Sequence, residues 1–124
     1  MDEYTVNERA LVHAYDLIEH RRFVIGTDWD ESHPTPVEQQ AFIDEHSWDA
    51  FALWHLAIAD DSPRETIARH QFALGDFHRV HRSALVSTVD RARAGGHHLL
   101  EEAAEELLHR LDAKAGVDFS QRPL

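Results

Sequence analysis

The segment GDFHRVHRSAL, residues 75–85, places His78 and His81 three positions apart in a chain that holds eleven histidines. Imidazole titrates near neutrality, which suits it to acid–base work, and its neutral form binds zinc, iron or copper. Facing decides which rings are placed for such chemistry. On a helical wheel for residues 77–93, Phe77, Ala84, Leu85, Thr88 and Ala92 form the apolar side, with His81 in its middle and His78 at its margin. His55 is comparable, sharing a face with Trp48, Phe51, Trp54 and Ile58. A buried imidazole costs free energy unless its ring nitrogens find partners. One account makes His55 and His81 core histidines, bonded to a backbone carbonyl or a capping acid. The other makes them an acid–base pair, with Asp76 nearby, in a pocket walled by Trp48, Phe51, Trp54 and Phe77. Within that second account, His55, His78 and His81 are also the candidate ligands for a transition metal, zinc or iron.

Other constellations carry less. His98, Glu102, Glu105 and His109 make one row on the last helix, and Glu106 with His109 has the Glu-x-x-His spacing of di-iron bundles. Those bundles need two such pairs, projecting inward. Here there is one, and the row lies opposite a stripe of Leu99, Leu100, Ala103, Ala104, Leu107 and Leu111. A solvated face is expected. His13 and His20 fall on the outward side of the first helix, and Ser83 on the outward side of its own. Asp28, Asp30 and Glu31 cluster in a loop but lack the spacing of a calcium loop. The chain has no cysteine, which removes thiolate chemistry and disulfides. It also has no phosphate-cradling glycine loop and no His-Glu-x-x-His.

Acidic residues outnumber basic ones by 23 to 12, leaving a formal charge of −11 that repels phosphate backbones. Nucleic acid is therefore not an expected partner. Arg79, Arg82 and Arg93 share one side of a helix, but they face an acidic neighbouring helix and read as a salt-bridged surface. No apolar run approaches the roughly 20 residues of a membrane span, and the start MDEYTVNERA has no secretory pattern. A cytoplasmic location is the simple expectation.

The elements that must position these residues read as helices. Asn7 caps a periodic stretch reaching Arg22, and a loop with Gly26 and two prolines follows. Thr35, Pro36 and Glu38 spell a capped helix start, as do Ser62, Pro63 and Glu65. Residues 48–58 are apolar nearly all round and belong in the centre of the fold. Asp76 caps a helix that Gly95 and Gly96 end, and the last helix closes at Gly116. The expected fold is one all-α domain over residues 1–124, a bundle of about five helices. Its C-terminal antiparallel αα-hairpin, 77–94 with 97–115, packs on 48–58, and residues 116–124 form a loosely packed tail.

The strings SWDAFALWH, DDSPRET and GDFHRVHRSAL together resemble a family of small bacterial helical proteins, over about residues 46–111. The resemblance implies a helical fold and brings no catalytic residue, cofactor or partner with it. Function then rests on two readings. One is a non-enzymatic protein that binds a protein partner, or a second copy of itself, through helical surfaces. The alternative is a metal-binding or acid–base protein acting on a small molecule around His55 and His81.

Overall fold

The computed structural model of the chain describes residues 4–116. The short strand β1 (Tyr4–Val6) leads into α1 (Glu8–Glu19), followed by β2 (Phe23–Val24), α2 (Trp29–Ser32), α3 (Pro36–Glu45) and α4 (Trp48–Ala52). β3 (His55–Ala59), β4 (His70–Ala73) and β5 (Val80–His81) come next, then α5 (Arg82–Gly95) and α6 (His98–Ala115). An antiparallel sheet has the order β1-β3-β4, and β2 pairs in parallel with β5. The expectation of an all-α helical bundle is thereby overturned.

The reasons are local. In SWDAFALWHLAIA, α4 stops at Ala52 and the apolar run HLAIA becomes the central strand, paired on both edges. A short run of apolar residues has no periodicity that separates a buried strand from a buried helix. Ser62, Pro63 and Glu65 do not start a helix. Thr66 Oγ1 donates to the Pro63 carbonyl at 2.8 Å and Arg69 Nη1 to that of Ser62 at 2.8 Å, closing a turn before β4. Asp76 caps a turn rather than a helix, and α5 begins at Arg82. Gly75 makes that turn: a Cβ there would sit 2.0 Å from the Arg79 carbonyl oxygen.

Other signals match their elements. Thr35 and Glu38 form a reciprocal capping box at α3. Asn7 caps α1 and is itself buried, with its Nδ2 donating to the carbonyls of Ala52 and His55 and so tying α1 to β3. Gly96, at φ 75°, ends α5, and Gly116, at φ 78°, ends α6.

The core lies between the sheet and the helices α1, α5 and α6. Ile18, Leu85, Leu107 and Leu111 are fully buried against Leu56 of β3 and Phe72 of β4. Each such side chain contributes roughly 1.5–3 kcal/mol relative to exposure. Leu99, expected in the buried stripe of α6, is exposed instead. Arg82 forms a bidentate pair with Asp112 at 2.7 and 3.0 Å, and Arg93 reaches Glu101 and Glu105, so these cations are engaged by α6. Among the described residues, no helix is long and apolar enough to cross a membrane. Residues 117–124 of the expected tail lie outside the described residues.

Candidate functional site

His81 and His55 are both buried, at 4% and 5% exposure, but they stand in strands rather than on helix faces. β5 pairs with β2 in the register Phe23–Val80 and Val24–His81, which brings the loop after β2 over the His81 ring. There the Thr27 hydroxyl lies 2.8 Å from His81 Nδ1 and 3.1 Å from the Ser83 hydroxyl. On the other side, His81 Nε2 is 2.9 Å from Asp76 Oδ2.

The directions of these bonds follow from Asp76. Its Oδ1 accepts the backbone N–H groups of His78 and Arg79, at 3.0 and 2.8 Å, as the tight turn at Gly75 requires. Burial alone would raise this carboxyl. The His81 N–H and the backbone N–H groups of Arg79 and His78 outweigh burial and hold Asp76 below the ordinary carboxylate value. An ionised Asp76 only accepts, so the neutral ring carries its proton on Nε2 and Nδ1 is left as an acceptor. Thr27 then donates to His81, and its own oxygen accepts the Ser83 O–H. The chain runs Ser83, Thr27, His81, Asp76.

His55 has different surroundings. Its Nδ1 donates to the Phe51 carbonyl at 2.9 Å, an acceptor that fixes the tautomer and leaves Nε2 with a bare lone pair. Burial pushes its pKa down to about 4, with the neighbouring His70 ring also lowering it and the Phe51 carbonyl working the other way. At neutral pH His55 is an uncharged acceptor. It lines a solvent-open pocket of about 330 Å³ together with Trp29, Asp30, His33, Phe77, Ser87 and Arg91. The Arg91 guanidinium lies 4.4 Å from the centroid of the Phe72 ring and makes no ion pair among the described residues.

The expected pocket is thus only partly assembled. Phe77 lines the cavity with His55, while Trp48, Phe51 and Trp54 do not. Trp48 stacks on His70 and Phe51 packs on His55 and Phe77, behind the cavity. Asp76 and His81 are brought together. His81 does not line the cavity but touches its Trp29 wall, with ring centroids 5.3 Å apart. His78 is exposed, held only by its backbone to Asp76. Among the described residues, no three His, Asp or Glu side chains converge as metal ligands. His98 and His109 are exposed, as is His20, but His13 is half-buried against Trp54 and burial lowers its pKa.

Sequence reasoning missed Thr27, Trp29, Arg91 and the inward engagement of Ser83. Nothing local marks them, because the Thr27–His81 contact spans 54 positions. Ser83, Ser87 and Arg91 do form a row at four-residue spacing on α5, but the expected wheel, centred on a helix running from residue 77, turned that row outward.

Fold and site together define a small α+β protein with one neutral histidine in a pocket and a second in a hydroxyl–imidazole–carboxylate chain beside it. The sequence is 30% identical over 128 residues to the UPF0262 protein of Sphingopyxis alaskensis, an alignment that takes in 92% of this chain and 73% of that one. The chain belongs to the UPF0262 family. No protein-family model and no solved structure matches it.

Proposed function

We propose that this protein binds a small polar molecule in the His55 pocket. The observation that carries the reading is the pairing of an unpartnered His55 Nε2 with an Arg91 that has no carboxylate of its own, in one cavity. A ligand with a hydroxyl or N–H group and an anionic group satisfies both. Ser87 adds a hydroxyl to the same cavity, and Trp29 and Phe77 supply apolar faces. Few polar groups set among rings is the ordinary composition of a ligand site. A protein acting through its helical surfaces draws less support, since the exposed large apolar residues Val12, Val37 and Leu99 stand on three different helices.

Thermal unfolding of the purified protein with a panel of hydroxy acids, amino acids and sugar phosphates tests this. A ligand at about 100 times its Kd stabilises by about 2.7 kcal/mol. The stabilisation is expected to be lost in Arg91→Gln and His55→Phe. A panel with no stabilising member, or a hit that both variants bind as well as the parent, overturns the reading.

A further inference from the structure

We propose that Thr27 is a nucleophile activated by the His81–Asp76 pair, giving the protein an acyl-transfer activity toward small activated esters. This goes beyond ligand binding at His55 and uses other residues. A hydroxyl, an imidazole and a carboxylate bonded in series are the parts that acyl transfer needs, recognised by geometry and not by order in the chain. Here the imidazole presents Nδ1 to the hydroxyl and Nε2 to the carboxylate, at 2.8 and 2.9 Å. Three features point past a merely satisfied core histidine. The carboxylate is anchored on its second oxygen by two backbone N–H groups, so the tautomer is fixed in the form that can take a proton from Thr27. Thr27 is only half-buried, in the loop between β2 and α2. A second hydroxyl, Ser83, points its proton at the Thr27 oxygen, where it stabilises negative charge as that oxygen is deprotonated. Trp29, which packs on the His81 ring, is also a wall of the neighbouring pocket, so an acyl group lying against that indole is beside the relay.

The step balances without a cofactor. Thr27 Oγ1 bonds to the ester carbonyl carbon while its proton passes to His81 Nδ1. The imidazolium keeps its Nε2–H on Asp76. The bond from the carbonyl carbon to the leaving oxygen breaks, and that oxygen takes the proton from Nδ1 when it departs. Water then attacks the acyl-Thr27 ester, giving its proton to Nδ1, and Thr27 recovers it as the acid leaves.

The probe is p-nitrophenyl acetate, followed by nitrophenolate release and by mass spectrometry of the intact and digested protein. One acetyl group is expected on Thr27. Thr27→Ser retains acetylation at that position, and the isosteric Thr27→Val loses it while ligand stabilisation at the His55 pocket persists. His81→Asn slows acetylation on the order of 10²–10⁴-fold. Digests of the parent protein with no acetyl group on Thr27 overturn the proposal, as does Thr27→Val releasing nitrophenolate at the parental rate. Failure of ligand stabilisation alone leaves this assignment standing and removes the pocket reading instead.

Discussion

His55 shows how one ring couples burial to acid sensitivity. Its folded pKa of about 4 lies below the ordinary 6.5, so between those values the unfolded chain binds a proton that the folded chain refuses. Stability therefore falls as pH drops through that window, by about 3 kcal/mol in all for this group. Asp76, held below its ordinary value, adds loss of the same sign at lower pH. Urea unfolding of His55→Gln from pH 7 to pH 4 is expected to show a shallower acid slope than the parent. An unchanged slope would mean that the ring is not buried neutral. The burial of His55 was legible in the sequence, because apolar residues flank it on a helical wheel and on a strand alike. That of His81 was read from a wheel for a helix that starts only after it, since as a strand residue it shares its face with Arg79 and Ser83. Their partners were not legible. Phe51 O, Thr27 and the Asp76 side chain are chosen by backbone geometry that a helical wheel does not contain.

Among the elements, the turn from Gly75 to Val80 has the largest effect on the site. It points Asp76 at His81 only because the chain closes tightly enough for the Arg79 carbonyl to occupy the place of a Cβ at Gly75. Gly75→Ala is expected to destabilise by about 3 kcal/mol, the upper end of ordinary single substitutions, and to abolish acetylation of Thr27. Gly75→Ala with a parental denaturation midpoint would count against this geometry. α1, with a cap and a clear period, and α3, with its capping box, could be read from the chain with no tertiary information. β3 and β4 could not, since HLAIA and HQFA are too short for period two to assert itself beside apolar neighbours. β2 and β5 are two residues each and exist only through their pairing. Capping chemistry also misled twice: Ser62-Pro63 spells a helix start where the chain turns instead into an edge strand, and Asp76 caps a turn ahead of β5 rather than α5.

For the whole molecule, the acidic balance governs behaviour in solution. With a formal charge of −11 at pH 7 and a pI near 5.3, net charge falls steeply between pH 7 and pH 5, and self-association is expected to rise. Burial holds His13, His55 and His70 below the ordinary histidine value, so these three take less part in that titration. Sedimentation velocity across the interval checks it. A constant mass and undiminished solubility would argue that charge repulsion is not what keeps the molecules apart. The parallel pairing of β2 with β5 has a further consequence, for the order of events on the ribosome. Thr27 is synthesised 54 positions before the ring that orients it. Until that later segment emerges, the Trp29 indole has no His81 ring to pack on, so a truncated product ending ahead of β5 lacks the relay altogether.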